Sequence, residues 1–373
     1  MLKNNTLGRA VYGWGQSLAL PLKNGNLDRI FLKPTLLSKQ ADYALPHDQQ
    51  VSHLATGWGH SLIGTESRHV YGFGLNQSGQ LGLGHSSHKG HGNIMTLAND
   101  QVLKALGCGR EHSHILVQQE ENSCQLYSFG NNMYGQLGIG KDKHSEPGKL
   151  VSSHIPIKCK TGNIHSVVCG LDNTVFATED SIYAMGWGSD GQLGQGKDDK
   201  NIPSKIEKEI GKIEKLSSST DFTLALTKQG KLWTWGNSEY GQGLQRKKID
   251  RILEPLEINN IENVIDIAAG GPFSVILTKE GRVFVCGYGG GIETLEPKCI
   301  NNLDNVIRIY ATTDYAAAIT ADGKLYTWGL NGPSGRLGLG HLEHAFEPRL
   351  VELDRKVHHV SLGTNHAIAL CED

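Results

Sequence analysis

The chain has 373 residues, with 36 Lys and Arg against 38 Asp and Glu and a formal net charge of -2, so no global field draws it to nucleic acid or to an anionic membrane. Glycine is 47 of 373, near 13 %, against an ordinary usage of roughly 7 %, while proline is only 11, so the excess serves tight turns rather than low-complexity linker. The seven cysteines (108, 124, 159, 169, 286, 299, 371) form no C-x-x-C pair and fit buried thiols in a reduced compartment better than a disulfide framework, and no run of 18 apolar residues offers a membrane span.

Residues 1–8 read as a tail. Lys3 and Arg9, with no acid before the first strand, are only faintly like the end of a mitochondrial presequence, and the segment is too short to assign. The first element is an aromatic strand, VYGWG, ending at Gly15; a long interruption beginning GQSLALPLKNGN follows it up to Leu54. Next come a small-residue strand running into an apolar one, LATGWGHSLIG (54–64), a second aromatic strand ending at Gly74, and the turn NQSGQLGLG closing at Gly84. Residues 70–84 read as one inner aromatic strand plus a blade-edge turn.

The same signals then recur. Small-residue motifs are ALGCGREHSHIL (105–116), VVCGLDNTVFAT (167–178), LSSSTDFTLALT (216–227), IAAGGPFSVILT (267–278), IYATTDYAAAIT (309–320) and VSLGTNHAIAL (360–370). Aromatic strands end at Gly130, Gly186, Gly236, Gly287 and Gly329, and GQLG-type turns follow all of these except Gly287, where the unit is cut to YGGGIETLEPKC. One slot in each small-residue motif holds His60, His112, Asn173, Phe222, Phe273, Tyr315 and His366; the first six precede the next aromatic-strand glycine by 14, 18, 13, 14, 14 and 14 residues.

Such regularity marks a supersecondary unit, with Gln-Gly, Glu-Gly and Asp-Gly hairpin turns between apolar runs. The seven aromatic-strand glycines are spaced by 59, 56, 56, 50, 51 and 42 residues, the period of a four-stranded propeller blade. The chain is therefore expected to be all-β, a single seven-bladed β-propeller domain over 9–373. The first aromatic strand has no small-residue motif before it, and the last such motif has no aromatic strand after it. Pairing the N- and C-terminal strands would complete one blade and leave no open edge. The rings of Trp235 and Trp328 are expected between blades.

Candidate chemistry lies in what the repeat leaves over. His60, His112 and His366 read as half-buried donors to a neighbouring backbone carbonyl rather than catalytic or ligand residues. His85, His88 and His91, with His112 and His114, supply imidazoles, but no Cys or carboxylate completes a metal spacing and the segment after Gly84 reads as a flexible loop; no metal is assigned. The glycines at 188–196 and 287–291 lack the following helix that a phosphate loop requires, so no nucleotide cofactor is assigned. A G-x-S-x-G elbow is absent, and no catalytic residues or bond-breaking chemistry are indicated. The remaining candidate is basic: Arg246, Lys247, Lys248 and Arg251 after one turn, and Lys197, Lys200 and Lys205 (with Lys208 and Lys212) after the preceding one. Adjacent blades would gather these on one rim as a patch for RNA or an acidic partner, although Asp198, Asp199, Glu207 and Glu209 interleave.

The coupled signals G-x-x-H-S, aromatic-Gly and N-x-x-G-Q-L-G closely resemble the repeats of the regulator of chromosome condensation family, over nearly the whole of residues 9–370. GFGLNQSGQLGL (72–83), CGREHS (108–113), WGNSEY (235–240) and LGLGHLEHAFEPRLV (337–351) look most like its mitochondrial, G-exchanging-factor-like branch. The resemblance implies a monomeric seven-bladed propeller in the mitochondrial matrix or peripheral to the inner membrane, contacting proteins through its rim loops. It implies two partner classes: mitochondrial ribosomal RNA with assembly factors of the large subunit, or a dynamin-like GTPase of inner-membrane fusion served by guanine-nucleotide exchange. The family's exchange residues, an acid and a His on one rim beside an inserted hairpin wedge, find no residue-by-residue match here, and four of the seven slots hold Asn173, Phe222, Phe273 and Tyr315, so a His-rich rim is partly missing.

Overall fold

Glycines at the hairpin turns adopt the left-handed conformation (φ +80° at Gly230, +74° at Gly281, +81° at Gly323) that lets a chain double back over two residues. Each apolar strand is thereby returned against its neighbour, and the strands gather into seven antiparallel sheets of four. The computed structural model describes residues 9–120, 123–140, 152–153, 163–289 and 293–373. The tail 1–8, Cys159 and the glycines at 290 and 291 lie outside these.

Blade 1 has the strands Val51–Thr56, His60–Thr65, His69–Asn76 and Ser87–Thr96 in that spatial order. Blades 2 to 6 repeat the plan over 102–153, 164–205, 213–258, 264–299 and 306–350. Blade 7 is assembled from both ends of the chain: Val357–Leu362 and His366–Glu372 pair onward to Arg9–Gln16 and Ile30–Leu36, in register from Arg9↔Glu372 to Gly15↔His366. This is the expected closure. The seven blades form a β-propeller whose first strands line a central channel.

Two expectations change. The aromatic strand is the third of each blade, not an inner one; the small-residue strand lies innermost, where the channel wall leaves least room. The segments after Gly84 and Gly196 are not simply loops, since they supply the fourth strands Ser87–Thr96 and Lys200–Lys205. The interruption after Gly15 likewise resolves into two short 3-10 turns, the strand Ile30–Leu36 and a bridge between Leu22 and Tyr43.

The apolar core is not one body but seven layers, one between each pair of neighbouring blades. Turn and aromatic strand interlock there. A Cβ on Gly194 would lie 3.3 Å from the ring of Trp235 in the next blade, and one on Gly338 would lie 2.9 Å from that of Trp14. The indole N–H groups donate to the same turns, Trp235 Nε1 to Gln192 O at 3.0 Å and Trp14 Nε1 to Arg336 O at 2.8 Å. Trp328, in the layer between blades 5 and 6, fits the same expectation. Gly74, ending the aromatic strand, has φ +113°, and a Cβ there would lie 2.2 Å from Gly59 O; the six equivalent glycines face the same close approach.

The slot histidines are fully buried and reach a side-chain hydroxyl of the next blade, not a carbonyl from a half-buried turn. His60 Nε2 lies 2.8 Å from Ser113 Oγ and His366 Nε2 2.7 Å from Ser61 Oγ. Ser113 in turn donates to Gln80 O at 2.7 Å, tying the slot to the preceding turn. Burial pushes His60 down to about 4 and His366 down to about 3. Both folded values lie below the unfolded value of about 6.5, so the fold favours the neutral ring. The stability they hold is complete above pH 6.5 and declines as pH falls toward 4. Melting temperature should be flat from pH 8 to 7 and drop below 6.5, and His366→Gln should make that drop shallower; an unchanged slope would show that other groups set it.

Candidate interaction face

First and third strands run the same way in every blade, so the first-to-second turns and the GQLG-type turns share one face. On it the inner turns are joined blade to blade. Backbone N–H groups of Trp58, Arg110, Leu171, Gly271 and Thr364 donate to Gly109, Leu171, Thr220, Thr313 and Gly57 carbonyls, and hydroxyls of Thr220 and Tyr315 complete the circuit to Gly271 and Gly363. With its backbone groups so satisfied, this mouth of the channel is a rigid platform.

Three aromatic groups stand on the platform. Trp58 is 44 % exposed, with the Arg110 guanidinium 5.8 Å from its ring centroid. Arg110 is held from the other side by Asp172 of the next blade, Nε to Oδ1 at 3.2 Å with a second contact from its terminal nitrogen. Beside Trp58 a cavity of about 230 Å³ opens between Leu18, Leu27 and Leu75. Further round, Tyr134 stacks on Trp187 at 5.8 Å, and Tyr240 faces Tyr288 at 6.0 Å.

Acids ring the mouth one residue before the slot: Glu111, Asp172, Asp221 and Asp314. Glu111 accepts from Ser78 Oγ and Asn131 Nδ2, both at 3.0 Å, and Asp314 lies 3.5 Å from Arg336. Asp221 has no ion pair among the described residues. Burial, with Asp190 and Asp172 nearby, pushes its carboxyl up to about 6. The burial of Asp172 outweighs the Arg110 charge and raises its carboxyl as well. Asp172 and Asp314 have arginine partners, whereas Glu111 and Asp221 make no ion pair among the described residues, so the inner ring is not a basic surface for a phosphate backbone.

The family model for the RCC1-like domain matches residues 125–373, and that for the regulator of chromosome condensation (RCC1) repeat matches residues 51–80. The chain belongs to the RCC1-like domain family. The RCC1-like G exchanging factor-like proteins of Mus musculus and Homo sapiens are 31 % and 30 % identical over 312 residues each, covering 75 % of this chain. The chain spans 66 % and 65 % of the length of those curated relatives. Human WBSCR16 superposes with a TM-score of 0.86 at 28 % identity, covering 98 % of this chain and 99 % of that one. Prp20p of Saccharomyces cerevisiae, studied for its binding to Gsp1p and histones, shares the fold at a TM-score of 0.83 and 21 % identity, covering 99 % of this chain and 92 % of that one.

On this RCC1-like propeller the expected basic patch is divided. Lys197, Lys200, Arg246, Lys247, Lys248 and Arg251 lie toward the turn face, but Lys200 and Lys205 pair with opposite ends of the neighbouring strand, at Gly186 and Tyr183. Lys205 is therefore about 17 Å away, toward the other face. Arg251 pairs with Asp190 at 2.7 Å, Lys248 with Glu293 at 2.9 Å, and Arg246 approaches Glu296 at 3.9 Å. Lys197, Lys200, Lys205 and Lys247 make no ion pair among the described residues. His88 and His91 sit on the outermost strand of blade 1, apart from His112 and His114 in the core of blade 2. No helix among the described residues is long and apolar enough to cross a membrane.

Sequence reading passed over Trp58, Arg110, Asp172 and Asp221. Aligning the repeats by their slots flags the first two: two residues before the slot, Trp58 and Arg110 stand where other blades carry Leu171, Thr220, Gly271, Thr313 and Thr364.

Proposed function

We propose that this RCC1-like propeller is a non-catalytic docking platform that binds a protein partner on its turn face, and that the partner is a GTPase whose nucleotide release it accelerates. The observation carrying this reading is the exposed Trp58, backed by Arg110 and Asp172 beside an apolar cavity. An exposed Trp backed by an Arg on one face, with a polar rim, has the composition of a protein-binding hot spot. The names of its relatives support the exchange activity. Acceleration requires that the face bind the nucleotide-free GTPase more tightly than the loaded one. The resemblance to the mitochondrial branch favours a dynamin-like GTPase of inner-membrane fusion as the first candidate and a location in the matrix or at the inner membrane.

Fluorescent-nucleotide release tests this directly. Micromolar protein should speed release, and Trp58→Ala should weaken the effect about 30-fold or more, as loss of 2 kcal/mol at a hot spot would, with little change in melting temperature because the ring is half exposed. No acceleration by the wild type would remove the exchange reading; acceleration insensitive to Trp58 would move it to another face.

A second reading, a scaffold for ribosomal RNA or assembly factors of the mitochondrial large subunit, draws on exposed Lys197 and Lys247. Lys197→Glu with Lys247→Glu should lower RNA recovery in crosslinking pulldowns from mitochondria; undiminished recovery would eliminate it.

A further inference from the structure

The interface between blades 2 and 3 departs from the repeat. Two residues past the slot, six blades carry the buried apolar residues Leu62, Val175, Leu224, Val275, Ala317 and Ile368; blade 2 carries His114, equally buried. An imidazole there is desolvated at a cost that an aliphatic side chain avoids. Its ring stands edge-on to that of His112, centroids 5.6 Å apart. From blade 3, Cys169 completes a trio whose ligating atoms lie within 4.8 Å of one another. The cysteine missing from the motif spacing is thus supplied by the neighbouring blade.

The surroundings are those of a ligand set. Nε2 of His112 and of His114 lie 3.1 and 2.8 Å from the Thr174 hydroxyl. Nδ1 of His114 is fixed by Ser128 Oγ at 2.8 Å, the kind of outer partner that orients metal-bound histidines. Nδ1 of His112 is fully buried and has no hydrogen-bond partner among the described residues. Cys169 also lines the pocket of about 130 Å³ at the channel mouth, which provides an entry path.

We propose that His112, His114 and Cys169 bind one zinc ion between blades 2 and 3, with the Thr174 hydroxyl or a water as fourth ligand. Two imidazoles and a thiolate suit this cation, and ligand atoms in a tetrahedral zinc site stand roughly 3.3–3.8 Å apart, so the trio closes by about 1 Å. The Cys169 thiol gives up its proton to solvent as the zinc–sulfur bond forms, so one proton is released per ion and no redox change occurs.

The full chain, stripped with a chelator, is titrated with zinc alone by calorimetry in two buffers of different ionisation enthalpy. One ion per chain with a Kd of about 1 μM or below, one proton released and a raised melting temperature are expected. Cobalt should give a thiolate charge-transfer band that Cys169→Ser abolishes and Cys108→Ser keeps. His114→Leu restores the residue type of the other blades, so it should fold while losing at least ~10-fold in zinc affinity. Absence of stoichiometric zinc from the wild type, or binding unchanged in His114→Leu or Cys169→Ser, would overturn the site.

Discussion

A chain beginning at Ser17 should not hold the native state. The lost strand, Arg9–Gln16, is the third of blade 7 and bonds to both neighbours, from Arg9↔Glu372 to Gly15↔His366 on one side and from Tyr12↔Leu36 to Gln16↔Ile30 on the other. It buries Ala10, Val11, Tyr12 and Trp14. At about 1.5–3 kcal/mol for each of the three larger side chains, burial alone contributes roughly 5–9 kcal/mol, comparable to the whole stability of many domains at about 5–15 kcal/mol. Its loss also strands Ile30–Leu36 and strips Ala10, Tyr12 and Trp14 from the layer between blades 6 and 7 and Val11 from that between blades 7 and 1. The truncated chain should show no cooperative melting transition and should expose apolar surface to a hydrophobic dye. A circular permutant that joins Glu372 to Arg9 through a short turn, opened between blades 4 and 5, should melt cooperatively near the wild type, because the two strands are already antiparallel neighbours. A truncated chain that melts like the wild type would mean that the closing strand is dispensable.

Trp235→Ala should cost about 3–5 kcal/mol, the range for deleting a buried aromatic. The ring is fully buried, rests on Gly194 of the preceding blade and donates its N–H to Gln192 O. Alanine leaves a void between two rigid sheets that have little freedom to collapse, and it leaves a buried carbonyl unpaired. Trp235→Phe keeps most of the volume and loses the hydrogen bond, so it should cost about 1–2 kcal/mol. Chemical denaturation of both variants separates the contributions. Equal losses would assign the interface to the hydrogen bond, and a near-zero loss for alanine would refute the placement of the ring.

These side chains show how far the sequence reaches. Asn76 and Gln80 were legible as turn residues because their job is local: Asn76 Oδ1 accepts from Leu81 N–H and Gln80 Oε1 from Ser78 N–H. Gly74 was legible for the same reason, as a backbone position that tolerates no Cβ. The slot histidines stand out in the sequence as a recurring position, but their partners do not, since Ser113 lies 53 residues from His60 and belongs to the next blade. Of the functional candidates, the basic run was visible as a run, whereas Trp58, Arg110 and Asp172 meet only when blades 1, 2 and 3 are brought side by side.

By itself the sequence determined an all-β chain, its repeat, the number of blades and closure by its two ends, because hairpin turns, strand alternation and spacing are properties of neighbouring residues. The tertiary structure decided what each repeat faces. It set the small-residue strand innermost and the aromatic strand third, and laid the rings of Trp14, Phe129 and Trp235 on the previous blade's GQLG-type turn. It also neutralised Arg246, Lys248 and Arg251 with acids from adjoining blades and brought Cys169 to His112 and His114. Those outcomes depend on contacts between residues some fifty positions apart, which only the closing of the ring puts within reach.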